Sequence, residues 1–213
     1  MKNIADIRQE YTKSGLRESE LPCDPLSLFS RWLQEAIDAN VEEPTAVIVG
    51  TVSPEGRPST RTVLLKGLHD GKFIFYTNYE SRKGRQLAQN PYISLSFVWH
   101  ELERQVHIEG TAAKVSPEES HEYFRKRPYK SRIGARISPQ SQPIASRMQL
   151  IRAFVKEAAR WLGKEVERPD NWGGYAVTPT RMEFWQGRPN RLHDRFLYTL
   201  KTDGKWEINR LSP

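Results

Sequence analysis

The chain has 213 residues, with 33 Lys or Arg against 26 Asp or Glu, and a formal net charge of +7. That length, with 37% hydrophobic and 10% aromatic residues, is enough for one packed domain and excludes a disordered chain. The longest apolar runs, such as residues 45–52, fall far short of the ~20 residues that cross a bilayer, and the polar start MKNIADIRQEY lacks a secretion signal's apolar run, so a cytoplasmic protein with no membrane association is expected.

In chain order, residues 1–23 alternate in charge and read as an N-terminal arm, mobile or in contact with a partner, ahead of a single domain over residues 24–213. Asp24-Pro25 signals a helix start, and Leu26, Phe29, Trp32, Leu33, Ala36 and Ile37 recur at helical spacing, predicting a helix over 25–39. After Pro44 come short β-branched runs divided by turns: TAVIVGTV, PEGRP, STRTVLLK, HDGK and FIFYTN. A short helix is expected over 81–89, closed by Asn90-Pro91, then strands in YISLSFVW and RQVHIEGTAAKV, and a helix opening at Ser116-Pro117. Beyond a polar link, residues 144–162 place Met148, Ile151, Phe154, Val155, Ala158 and Leu162 on one helical stripe. Four closing strands follow: GGYAVTP, RMEFWQG, RFLYTLK and KWEINRL. The expected fold is α+β and mainly antiparallel β, a small barrel with helices outside.

The surplus positive charge calls for an anionic partner. Residues 125–136 (RKRPYKSRIGAR) hold six basic residues and no acidic one, and Arg188, Arg191 and Arg195 crowd the C-terminal GRPNRLHDRF. No nucleic-acid module signature accompanies them, so small phosphate ligands are favoured over nucleic acid. The patterns GxGxxG, GxxxxGK[ST] and GxSxG are absent. His100-Glu101 and His121-Glu122 lack the second histidine of a zinc helix, and a single cysteine, Cys23, allows neither a disulfide nor a cysteine cage, so no metal is expected.

Five constellations remain. Arg61 and Lys66 bracket a strand; alternation sets Arg61, Val63 and Leu65 on one face and Thr62, Leu64 and Lys66 on the other, so either the cations serve different groups or the strand bends. Tyr76 and Thr77 lead to Ser81, Arg82 and Lys83 at a helix N-terminus, where free N–H groups and two cations suit a phosphate. Gln105, Gln140 and Ser141 offer amide and hydroxyl groups for a heteroaromatic edge. Tyr123 and Arg127, four apart, share a face if their helix continues, and could clamp a second phosphate with Ser131. Trp185, Arg191, His193 and Arg195 combine an aromatic surface with a histidine between arginines, which suits an anionic, planar substrate.

Together these stretches resemble the pyridoxine (pyridoxamine) 5′-phosphate oxidase family. The resemblance runs through RQEY at 8–11, RTVLLK, FYTN, SRK, ERQV, YFRKRP, PQSQ, NWGG, EFWQG and RLHDRF, nearly the whole chain. It implies an FMN-binding split β-barrel with peripheral helices and a homodimer with FMN at the subunit interface. The implied cofactor residues are Arg61, Thr62, Val63, Leu64, Leu65, Lys66, Tyr76, Thr77, Arg82, Lys83, Gln105, Gln140, Ser141, Trp185 and Arg195. The implied substrate phosphate residues are Lys66, Tyr123, Arg127 and Ser131, with Arg191 and His193 as catalytic residues over the pyridine ring and Arg8 and Tyr11 of the arm closing over the site. The implied reaction oxidises C4′ of pyridoxine 5′-phosphate or pyridoxamine 5′-phosphate to pyridoxal 5′-phosphate by hydride transfer to flavin N5, with O2 reduced to hydrogen peroxide. The rival readings are another split-barrel flavin reductase, which needs a nicotinamide donor, and a basic β-barrel RNA-binding protein.

Overall fold

The computed structural model describes residues 11, 12 and 15–213, so Arg8 lies outside the described residues. Helix α1 (Pro25–Asp38) starts where the sequence signals it: the Asp24 carboxylate accepts hydrogen bonds from the backbone N–H groups of Leu26 and Ser27, and Pro25 fills a position that needs no donor. Its inward face buries Leu28, Phe29, Trp32 and Ala36, whereas Ile37, part of the expected stripe, is exposed.

Among the described residues, nine strands form one antiparallel sheet: β1 (Ala46–Val52), β2 (Pro58–Leu64), β3 (Gly67–His69), β4 (Lys72–Asn78), β5 (Tyr92–Trp99), β6 (Arg104–Lys114), β7 (Trp172–Gln186), β8 (Asp194–Leu200) and β9 (Trp206–Arg210). Along its main path the order is β2-β1-β5-β6-β7-β4-β3, with β8 pairing β7 and β9. The two ends of that path, β2 and β3, are joined by Leu65 and Lys66 alone, so the sheet must curl back on itself. Inside the curl, the Phe29 ring of α1 meets the rings of Phe73 and Phe97 edge-on at 4.9 Å each. Burying each such ring stabilises the fold by roughly 1.5–3 kcal/mol.

Two of the expected closing strands are one. β7 runs 15 residues through Pro179, and the register against β6 slips between Glu109 and Gly110 instead of turning. The slip needs a glycine, because a Cβ at Gly110 would lie 2.1 Å from the Thr178 carbonyl oxygen. A bulge also accommodates Pro179, which has no N–H to give a ladder.

Four more helices lie outside the sheet: α2 (Arg82–Gln89), α3 (Pro117–Lys126), α4 (Tyr129–Ile137) and α5 (Arg147–Arg160). Phe124, Ile133, Trp161, Val166 and Trp172 make a second core beneath them. Helix α4 lies where a polar link was expected; its short basic sequence shows one buried apolar residue, Ile133. The expected stripe of α5 is present, but only Phe154 and Ala158 pack on the second core, and Met148, Ile151 and Val155 are exposed. Antiparallel strands with peripheral helices are the α+β architecture that the alternating patterns imply. Among the described residues, no helix is long and apolar enough to cross a membrane.

The described part of the arm lies against the C-terminal strands. Leu16 is buried and donates its N–H to the Asp194 carboxylate, and the Tyr198 hydroxyl donates to the Pro22 carbonyl.

Candidate active site

A cleft of about 620 Å³ opens where the ends of β2 and β4 meet α2 and the α3–α4 junction. Its shape depends on the bend after β2. The Leu65 N–H donates to the Thr45 carbonyl, on the β1 side, and the next residue, Lys66, donates to the Ile74 carbonyl on β4. This transfer between neighbours turns Lys66 into the cleft with Thr62, Val63 and Leu64, while the Leu65 side chain points into the core. The chain bends after Leu64, and the two cations still face different places, Arg61 toward α2 and Lys66 into the cleft; Leu65 offers the cleft no side chain.

The strand-to-helix turn supplies the cations. Ser81 caps α2 by accepting from the Gly84 N–H, and the first turn then carries Arg82, exposed, and Lys83, only 6% exposed. Lys83 Nζ donates to Thr77 Oγ1 at 3.0 Å, to Gln140 Oε1 at 3.2 Å and to Ser81 Oγ at 3.4 Å. Burial, and then the nearby Arg61 guanidinium, push its pKa down to about 8. Arg61 points toward α2 and is fixed by Val49 O, Thr51 Oγ1 and Ser59 Oγ; burial and Arg82 lower its pKa. Gln86 Oε1 accepts from both hydroxyls, Thr51 and Ser59, and so braces that support. Among the described residues, no carboxylate lies within ion-pair distance of Arg61, Lys66, Arg82 or Lys83. Arg61 and Lys83, whose pKa values burial lowers and which have no counter-charge among the described residues, suit an anion.

The opposite wall is aromatic. The Tyr76 ring stacks on Tyr123 at 3.8 Å and on Trp172 at 5.5 Å. The Arg127 guanidinium lies 4.5 Å from the Trp172 ring centre, and its Nη1 is buried without a hydrogen-bond partner. Burial lowers the Arg127 pKa and raises those of Tyr123 and Tyr76, keeping both phenols protonated. The expected shared helix face is corrected here: α3 ends at Lys126 and Arg127 is extended, as a residue before proline prefers to be. Ser131 sits in the next helix, α4, and all three residues still line the cleft. Gln140 lines it too; Ser141 is exposed beside it in left-handed backbone, at φ 69°.

The remaining predicted residues gather elsewhere. Gln105, Trp185 and Arg195 are direct cross-strand partners on β6, β7 and β8, forming one row across the sheet. The Trp185 ring lies 4.7 Å from His193, and the Tyr11 ring meets both edge-on at 5.4 Å. Tyr11 is admitted because residue 187 is glycine: a Cβ there would lie 2.8 Å from the tyrosine ring. The Arg188 N–H donates to His193 Nδ1 at 3.1 Å, so the neutral imidazole carries its proton on Nε2 and offers a donor there. Arg191 is exposed, and both it and Asn190 adopt positive φ, 62° and 58°. Left-handed backbone costs a non-glycine residue about 1–2 kcal/mol, a strain typical of functional loops.

The two groups lie near opposite ends of β7, at Trp172 and Trp185, on the order of 40 Å apart if the strand were straight. None of Gln105, Trp185, Arg191, His193 and Arg195 lines the cleft of this chain. Asn78, which follows Tyr76 and Thr77 in the phosphate-suited stretch, lines the cleft, and so do residues that the sequence reading passed over: Pro128, Ser138 and Trp172. Trp172, in the motif NWGG, had a signal, since a tryptophan beside two glycines brings a large ring close to the backbone. No group of three or more His, Cys, Asp or Glu residues able to hold a metal occurs among the described residues.

A family model described as pyridoxamine 5′-phosphate oxidase matches residues 33–164, and one described as the pyridoxine 5′-phosphate oxidase C-terminal dimerisation region matches residues 172–213. The pyridoxine/pyridoxamine 5′-phosphate oxidase of Bacteroides thetaiotaomicron is 99% identical over 213 residues, covering 100% of both chains. That of Porphyromonas gingivalis W83 is 58% identical over 211 residues, 99% of each chain. Among solved structures, PhzG from Burkholderia lata 383, in complex with tetrahydrophenazine-1-carboxylic acid, superposes with a TM-score of 0.87 at 31% identity, covering 92% of this chain and 95% of that one. A pyridoxamine 5′-phosphate oxidase-related, FMN binding protein from Nostoc punctiforme PCC 73102 has a TM-score of 0.73 at 17% identity over 89% and 98% of the two chains, a likeness of fold alone.

Proposed function

Because the chain belongs to the pyridoxamine 5′-phosphate oxidase family, we propose that it oxidises C4′ of pyridoxine 5′-phosphate or pyridoxamine 5′-phosphate to the aldehyde of pyridoxal 5′-phosphate, using FMN. The observation that carries this reading is that the cleft is lined by Lys83 at one place, with Arg61 and Arg82 close behind it, and by Lys66 and Arg127 at another. Arg61, Arg82 and Lys83 gather at the start of α2, and Lys66 and Arg127 face the aromatic wall. Substrate and cofactor each carry one phosphate, and each set can hold one.

The residues present fit FMN. Lys83 is a nearly buried ammonium without a carboxylate, which an incoming phosphate would neutralise, and Arg61 and Arg82 stand beside it. Thr77 and Gln140 already bond to Lys83 and would border the phosphate, with Thr62, Val63, Leu64, Lys66, Tyr76 and Ser141 along the rest of the cofactor. When bound, FMN supplies the electron sink that accepts a hydride equivalent, chemistry that no side chain here provides.

The chain's own residues bind and orient. Arg127, with an unused buried Nη1, takes the substrate phosphate together with Lys66, Tyr123 and Ser131. The second group, Gln105, Trp185, Arg191, His193 and Arg195, reaches the cleft from the other subunit of a homodimer and supplies the faces that flank the two rings. The C-terminal dimerisation match and the separation along β7 both support that arrangement. His193 gives a hydrogen bond from Nε2 to the substituent on C4′ instead of accepting a proton there, since its Nδ1 is already occupied. Arg191 covers the pyridine ring, and Tyr11 closes over His193, with Arg8 assigned to the same arm. Dioxygen is the final acceptor: two electrons and two protons leave the alcohol as aldehyde and hydrogen peroxide forms, while the amine also takes up water and releases ammonia. A cytoplasmic setting belongs to the same reading.

The test is to load the protein with FMN, desalt it, and add pyridoxine 5′-phosphate without air. Retained flavin that bleaches, then recovers in air as aldehyde and peroxide accumulate, is the expected result. Retained flavin that responds only to a nicotinamide donor would assign a flavin reductase instead, and no retained flavin would refute the reading.

A further inference from the structure

The row Gln105, Trp185, Arg195 has a second row immediately behind it. His107, Glu183 and Leu197 are the cross-strand partners on the same three strands, and they share the face of the first row because residues two apart on a strand point the same way. Val106 and Ile108, between and beyond, are buried in the core, which sets Gln105 and His107 on the outer face of the sheet. Each polar end of the first row is held from the second. Arg195 Nε donates to Glu183 Oε1 at 2.8 Å, and His107 Nε2 contacts Gln105 Oε1 at 3.2 Å.

In this structure Gln105 turns its amide oxygen to the ring, and since an amide oxygen can only accept, His107 Nε2 is the donor in this arrangement. Nδ1 of the neutral ring is then an acceptor, and it finds the Ser96 hydroxyl at 3.0 Å on the directly paired residue of β5. The chain Ser96 O–H to His107 Nδ1, then Nε2–H to Gln105 Oε1, uses the amide oxygen and leaves the Gln105 NH2 group without a hydrogen bond among the described residues. Without that constraint a glutamine amide can rotate by half a turn at little cost and present either end.

We propose that His107, set by Ser96, is a positioning residue that turns the amide of Gln105 so that the row presents N–H donors, not a carbonyl, to an acceptor atom of FMN. This rests on the reading of Gln105 as a cofactor contact. It makes the row chemically directional: a donor at Gln105 and a cation at Arg195, on either side of the Trp185 ring.

The test is the FMN dissociation constant of the flavin-free full chain, measured by quenching of flavin fluorescence, for Gln105→Ala, His107→Leu, Ser96→Ala, His107→Gln and the double variant Gln105→Ala/His107→Leu. Losing one oriented neutral hydrogen bond predicts about fivefold weaker FMN binding for Gln105→Ala. His107→Leu should lose most of the same factor, Ser96→Ala a smaller part, and His107→Gln, which can still donate to Gln105, should recover it. The double variant should bind no worse than Gln105→Ala alone, because His107 acts only through Gln105. A full additional loss in the double variant would show that His107 supports the fold or the flavin independently, and would overturn the proposal while the FMN reading stood. Unchanged binding in Gln105→Ala would overturn it by removing Gln105 from the cofactor site, and failure of the wild type to bind FMN would instead refute the proposed function. Equal thermal midpoints across the set would separate these outcomes from misfolding.

Discussion

The two ends of β7 carry opposite electrostatic designs. At the Trp172 end Lys66, Lys83 and Arg127 line a concave cleft with no carboxylate paired to them among the described residues, and burial drives the Lys83 pKa down to about 8. At the Trp185 end the surface is open and aromatic, and three of its arginines are matched: Arg195 with Glu183, and Arg188 and Arg210 with Asp194, while Arg191 is exposed. Pairing with Glu183 raises the Arg195 pKa, whereas burial lowers that of Arg61. Unmatched buried charge costs stability and is retained where a ligand neutralises it, while matched charge holds a surface in one shape. The first region is therefore built to take phosphate, and the second to place rings and donors against what the first has bound.

The largest expected effect tests whether the two regions work across subunits. Homodimers of Lys83→Met/Arg127→Ala and of Trp185→Ala/Arg191→Ala should each be inactive, yet exchanging their subunits should restore about a quarter of wild-type activity, because half the dimers then contain one intact site of two. No recovery would break the split-site comparison. Next, Lys83→Met should weaken FMN binding by about a hundredfold, the scale of lost charge-assisted hydrogen bonds, in a titration of the flavin-free protein. Arg127→Ala should leave FMN bound and raise the substrate KM by about thirtyfold, whereas Arg191→Ala should leave FMN bound, raise KM and cut turnover by about tenfold. Unchanged kinetics in either would remove that arginine from the site.

The smallest effect is a pH dependence. Lys83 has a pKa of about 8 in the folded chain against 10.5 ordinarily, so between those values the unfolded chain binds more protons and the flavin-free protein should gain stability as pH rises from 8 to 10.5. FMN affinity should fall over the same window as the ammonium loses its proton. Thermal midpoints and FMN titrations in phosphate-free buffer, with Lys83→Met as the flat control, check both signs.

Much of this molecule was legible in the sequence because its signals are local. Alternation marked β1, β2 and β4–β6, helical spacing marked α1 and α5, and Ser81, Ser116 and Asp24 announced helix starts that their side chains do cap. The phosphate-suited turn at Ser81, Arg82 and Lys83 was equally visible, since a helix N-terminus carrying cations is a short-range pattern. Helix α4 was not, because a short basic segment with one buried residue has no stripe to read. Nor was the continuity of β7, where Pro179 suggests a turn and only the facing Gly110 makes room for a bulge.

The sequence by itself determined most of the strands and helices, though not α4 or the unbroken β7, and which residue types could hold two phosphates and two rings, because those depend on spacing and on side-chain chemistry. Tertiary structure alone decided that Lys66 turns into the cleft, that Gln105, Trp185 and Arg195 form one row far along β7 from Lys83, and that His193 carries its proton on Nε2. Strand pairing joins residues remote in the chain, and a histidine's tautomer is set by whichever donor or acceptor that pairing brings beside it.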